Sequence, residues 1–215
     1  MSLINKLKRN DMFMKKVLIA LCCMGAGLTV VSSCDSKGRL AEAVEGEWTG
    51  NPERLLDTGA ASATMVRMME FSPGEVATEG TITMTAIITV ENTMQFNESV
   101  VTPLTITATG TATITGTYQV RDHDDILVGL DATSLSVSVD PDAVQLNYNI
   151  LSEDSAPMVE KLKPGAAVLA TQQINRAAQN AFANITEIED IHIKNNTMRC
   201  EIGDRDIAFS RAGAK

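Results

Sequence analysis

The sequence predicts a mainly β protein: an antiparallel meander closed into a barrel, with one amphipathic helix near the C-terminus and a β-sandwich as the alternative. Three observations carry this expectation. Between Thr81 and Val90 aliphatic residues alternate with threonine, and the same alternation runs from Leu104 to Val120. A period of two with β-branched residues puts one face of a sheet in a core and the other in water. Elsewhere short apolar segments are separated by turn residues, as in Ser72-Pro73-Gly74 and Asp140-Pro141-Asp142. Only after Ser155-Ala156-Pro157 does the apolar period become helical.

The chain starts with an address. Lys15 and Lys16 precede an apolar run from Val17 to Val31, and small residues follow it. A basic region, an apolar region and small residues before a cut describe a secretory signal over residues 1–33. Its uncharged run is about fifteen residues, short of the ~20 that cross the hydrocarbon core of a bilayer. The basic region is complete from Met14, so Met12 or Met14 would serve as well as a start. Val31-Ser32-Ser33-Cys34 resembles the lipobox of bacterial lipoproteins. The resemblance implies that Cys34 receives a diacylglyceryl group, becomes the mature N-terminus and holds the protein at a membrane, with the outer membrane of the cell envelope as the expected site. Cys22 and Cys23 would leave with the signal, so Cys200 stands alone, without an intrachain disulfide, as a small core residue. Residues 34–44 show no strand alternation and read as a tether reaching at most about 33 Å. Residues 45–215 then form a single barrel-like domain.

Within that domain, Gly46–Gly50, Thr64–Phe71, Ile126–Leu130, Ser134–Val139 and Val144–Ile150 are short candidate strands around the two long alternating stretches. Gly110 and Gly116 mark a bend or bulge in the second long stretch. Residues 78–117 hold 14 threonines, and their strict alternation favours a sheet with one wet face over a glycosylated stalk. A helix is expected over 166–183, with Pro164-Gly165 dividing it from a short turn at 158–163. The tail returns to strands at Ile188–Lys194, Thr197–Ile202 and Asp206–Arg211. They are joined by Asn195-Asn196 and Gly203-Asp204-Arg205, which suit tight hairpins. Eight to ten short strands with one helix make a barrel or sandwich.

Gly46-Glu47-Trp48 contains the only tryptophan, and the last strand ends Ala208-Phe209-Ser210-Arg211. This resembles the lipocalin pattern, in which Gly-x-Trp on the first strand plugs one end of an eight-stranded barrel and an arginine of the last strand packs across the indole. The resemblance implies that Gly46, Trp48 and Arg211 close the barrel and touch no ligand, and that a late helix lies against the wall. Three strands follow the helix here, where lipocalins have one. As a lipocalin-like bacterial lipoprotein the chain would bind a small apolar or amphipathic ligand, in an interior lined by Met65, Met69 and Met84, since methionine adapts to varied shapes. The alternative is a non-enzymatic structural subunit of a cell-envelope assembly or adhesin.

Composition excludes other classes. The net charge is −9, and after residue 33 the balance is 13 basic against 26 acidic residues, which argues against nucleic acid. His123 stands among Asp122, Asp124 and Asp125, with Asp131 beyond, and His192 on the polar side of a strand. No HxxxH or CxxC spacing is present, and the acidic run lacks the glycine and closing glutamate of a calcium loop, so it reads as a solvated turn with no metal. No G-x-S-x-G, P-loop or dinucleotide fingerprint occurs, and neither enzyme activity nor a cofactor is expected. Eight aromatics are too few for a sugar-stacking face. Asp154-Ser155-Ala156 resembles the short O-glycosylation site of Bacteroidetes.

Overall fold

A computed structural model describes residues 36–94, 103–147 and 156–213. Residues 36–44 form helix α1, and strands follow at Gly46–Gly50 (β1), Glu53–Asp57 (β2), Ala61–Pro73 (β3), Glu79–Met94 (β4), Leu104–Val120 (β5), Ile126–Leu130 (β6), Ser136–Val139 (β7) and Gln145–Asn147 (β8). Helix α2 spans Ala156–Phe182, and Glu187–Lys194 (β9), Thr197–Glu201 (β10) and Asp206–Arg211 (β11) complete the order. The signal region, Cys34, residues 148–150 of the expected strand, and Asp154 and Ser155 lie outside the described residues.

β4 and β5 form the spine. They pair antiparallel in one unbroken register, from Glu79 opposite Gln119 to Met94 opposite Leu104. Ile82, Met84, Ala86, Ile88 and Val90 are buried on the same face as Leu104, Ile106, Ala108, Ala112 and Ile114. The other face carries threonines directly opposite one another. Thr85 and Thr113, Thr89 and Thr109, and Thr93 and Thr105 bring their hydroxyls to 3.4, 2.9 and 3.3 Å. Such cross-strand pairs stabilise a sheet while keeping its outer face polar.

Gly110 and Gly116 do not mark a bulge, because the β4–β5 register passes both without a shift. They mark close approach instead. A Cβ on Gly116 would stand 2.4 Å from the carbonyl oxygen of Gly129, and one on Gly110 would stand 2.8 Å from Val139 and 3.1 Å from Ile174. At these points the far edge of β5 changes partner, from β6 opposite Gly116–Val120 to β7 opposite Gly110–Thr113 and then β8 opposite Thr105–Thr107.

The sheet closes on itself. Its order is β1-β11-β10-β9-β6-β5-β4-β3, and β1 also pairs with β3, giving an eight-stranded, antiparallel, up-and-down ring. β1 lies between β11 and the Met68–Phe71 part of β3. From Met65 back to Ser62 the partner of β3 is β2. The ring is therefore closed at one level only. At the other, β3, β4 and β5 run on as an open sheet edged by β2, β7 and β8. Helix α2 packs on the sheet through β4, β5 and β7. Ala166, Ala170, Ile174, Ala178 and Phe182, each four residues on from the last, are buried there, and Ile174 sits over the surface left bare by Gly110. Asn92 of β4 and Gln173 of α2 exchange amide hydrogen bonds across the same contact.

Two further expectations are corrected. Residues 36–44 are helical and not an extended tether: Leu40, Ala41 and Val44 share one face of α1 and are buried in the common core. Pro164 and Gly165 lie inside α2 and do not divide it. A proline removes one backbone donor, and the buried face of α2 begins just after it, at Ala166. In β9, Asp190 has φ 51° and the register against β10 shifts, so Ile188 and Ile191, three apart, are both buried. Among the described residues no helix is long and apolar enough to cross a membrane.

Candidate ligand-binding site

The closed end of the ring is built around Trp48, which is fully buried. Its indole Nε1 donates to the carbonyl of Val44 at 2.7 Å, tying β1 to the end of α1. Arg211 of β11 is the register partner of Trp48, and its guanidinium lies 4.4 Å over the indole ring. The same guanidinium donates through Nη2 to the Ala43 carbonyl at 2.6 Å and through Nη1 to the Glu45 carbonyl. A cation on the last carbonyls of a helix is favoured by the helix dipole and fills acceptors that would otherwise lack donors. Gly46 joins α1 to β1 at φ 98°, a conformation that side chains disfavour. Gly46, Trp48 and Arg211 thus form one structural unit. Cys200 is buried elsewhere in the core, and burial pushes its thiol up to about 12, with Arg67 opposing.

Met65, Met69 and Met84, expected to line a ligand cavity, are fully buried in the hydrophobic core. A cavity lies elsewhere, where the ring opens. It has a volume of about 640 Å³ and runs between β2 and β3 on one side and the C-terminal half of α2 on the other, with the β10–β11 turn at its end. This is within the range of about 300–1,000 Å³ typical of small-molecule sites. Leu55, Ala63, Val90, Ala177, Ala181 and Ile185 give it apolar walls, and Asn92, Gln173, Asn180 and Asn184 supply amides.

One end of the cavity is ionic. Arg67 points from β3 on the same alternation as Met65, Met69 and Phe71, and it is only 4% exposed, the one buried charged residue among those described. Its Nε lies 3.4 Å from Glu53 at the start of β2, and Nη1 of Arg205, from the β10–β11 turn, lies 3.5 Å from the other oxygen of Glu53. Burial lowers the pKa of Arg67 from its usual value, while Glu53 opposes that shift. Sequence reasoning missed this residue, although its position in the Thr64–Phe71 alternation was the available signal.

His123 is exposed in the β5–β6 turn between Asp122 and Asp124, each 3.2 Å from one of its ring nitrogens. His192 is exposed on β9, far along the chain from that turn, with Nδ1 2.9 Å from the carbonyl of its neighbour Asp190. Asp131 caps a single 3-10 turn, accepting from the backbone and hydroxyl of Thr133 at 2.9 and 2.6 Å. No three metal-ligating side chains converge among the described residues. Compared with known proteins, the chain matches no family model and no curated sequence.

Proposed function

We propose that the protein is an exported, lipid-anchored binding module of the cell envelope, lipocalin-like in plan, which takes up a small amphipathic ligand. The cavity of about 640 Å³, with apolar side chains and amides sharing its walls and an ionic cluster at one end, is the observation that carries this reading. The Lys15-Lys16 region, the following apolar run and Val31-Ser32-Ser33-Cys34 support anchoring through acyl chains on Cys34. The ligand site in this reading lies where the ring opens, away from the end that Trp48 and Arg211 close.

The test is native mass spectrometry of protein purified from its own membrane, followed by solvent extraction. A co-purifying molecule of one class, released on unfolding, is the expected result. A ligand-free protein found in a stable hetero-complex would instead identify a structural subunit. Peptide mass spectrometry of the same sample should find Cys34 acylated at the N-terminus, and an unmodified Cys34 would remove the anchor from the proposal.

A further inference from the structure

We infer that Arg67, Glu53 and Arg205 form an anion subsite of this cavity, suited to the carboxylate head of a single-chain amphiphile. The inference rests on the binding-module reading and specifies its ligand. Nε and Nη1 of Arg67, and both carboxylate oxygens of Glu53, are buried without a hydrogen-bond partner among the described residues. Buried guanidinium donors are normally satisfied, because one left unmade carries the full cost of desolvation. The ion-pair distances of 3.4 and 3.5 Å are longer than the ~2.7–2.9 Å of a closed charge-assisted bond. The cluster is held together loosely, and an oxyanion in the cavity supplies an acceptor to the guanidiniums of Arg67 and Arg205, in competition with Glu53.

Charge counting selects the anion. The cavity is lined by Arg67, Arg176, Arg205 and Asp204, and with Glu53 beside them one positive charge is left over. In a chain of net charge −9 this is a local inversion of sign. One negative charge balances it, whereas a phosphate dianion would bring a second, uncompensated charge beside the buried Arg67–Glu53 pair. A planar carboxylate also matches the fork of a guanidinium. The hydrocarbon part then lies along Leu55, Val90, Ala181 and Ile185.

The test uses the full chain in nanodiscs, titrated calorimetrically with octanoate, octanol and octyl phosphate, with empty nanodiscs subtracted. Octanoate should bind about tenfold more tightly than octanol, the worth of one charge-assisted hydrogen bond, and octyl phosphate should bind no more tightly than octanoate. Arg205 is 57% exposed, so Arg205→Gln leaves the fold intact and should weaken octanoate about tenfold without changing octanol. Glu53→Gln removes the competing carboxylate and should tighten octanoate, an effect that a purely structural ion pair would not produce. Thermal unfolding verifies that both variants fold. Equal binding of octanol and octanoate would overturn the anion subsite and leave the binding module standing. Absence of binding by all three probes would overturn both, and a preference for octyl phosphate would overturn the monoanion assignment.

Discussion

Arg211 stacks 4.4 Å over Trp48 and at the same time donates to the carbonyls of Ala43 and Glu45, so one guanidinium joins the last strand, the first strand and the helix before it. Trp48→Ala is expected to destabilise the fold by ~3–5 kcal/mol, as truncation of buried aromatics does. Arg211→Ala should cost less, and a double-mutant cycle by chemical denaturation should give a coupling of ~0.5–2 kcal/mol. Arg211→Lys should not restore it, because a point charge can neither stack as a plane nor reach two carbonyls as a fork. Strictly additive effects would show that the contact contributes nothing.

Glycine positions give predictions of opposite sign. Gly116→Ala forces a methyl to 2.4 Å from the Gly129 carbonyl oxygen and should cost ~1–3 kcal/mol. Gly165 lies inside α2 with nothing within 4 Å of its missing Cβ, so Gly165→Ala should stabilise by ~0.4–1 kcal/mol. Urea midpoints of the two variants are to be compared with the parent.

Cys200 is 3% exposed and its thiol is raised to about 12. At pH 8 its thiolate fraction is then ~10⁻⁴, and thiolate is the species that reacts. Iodoacetamide should leave the Cys200 peptide unmodified in the native protein and label it fully in denaturant. Rapid labelling in the native state would contradict the packing of β10 described above.

The Asp122 hydrogen bond, followed by the charge of Asp124, raises His123 above its ordinary value of 6.5. Its contribution to stability is therefore complete below 6.5 and lost as pH rises through the higher folded value. Asp122, lowered by its hydrogen bonds to His123, contributes above 3.8 and loses that contribution as pH falls through its folded value. Both groups are solvent-exposed, so the effect is one of titration midpoint more than of stability. NMR titration should place the His123 midpoint above 6.5, and Asp122→Asn should move it down. A midpoint insensitive to that substitution would refute the pairing.

Much of the ring was legible because threonine and aliphatic residues alternate so regularly in β4 and β5, and because Asn195 and Asn196 take the positive φ that a tight hairpin needs. The pairing of Trp48 with Arg211 was expected through the resemblance of Gly46-Glu47-Trp48 and Arg211 to the lipocalin pattern, and no periodicity in the sequence would have supplied it. β2 was not legible, because Glu53-Arg54-Leu55-Leu56-Asp57 shows no polar–apolar alternation and three of its five residues face water. Helix α1 was hidden by its shortness: Leu40, Ala41 and Val44 make a single turn of apolar face, too little for a period. The cavity was illegible for a different reason. Arg67 can be read as inward-facing from its parity with Met65 and Met69, but Glu53 and Arg205 reach it from 14 residues before and 138 after.

Closure of the ring also fixes the order in which the fold can be completed. β1 needs β11 as its neighbour, and the Arg211 contact to Glu45 bridges a separation of 166 residues. A chain made from its N-terminus keeps β1 with one unpaired edge until β11 has emerged, and contacts of such long range slow folding. During that interval β1 and β10 both present open strand edges. Loss of Asp206–Arg211 would leave β1 and β10 with those edges unpaired in the folded sheet as well, the kind of edge on which a strand of another chain can add.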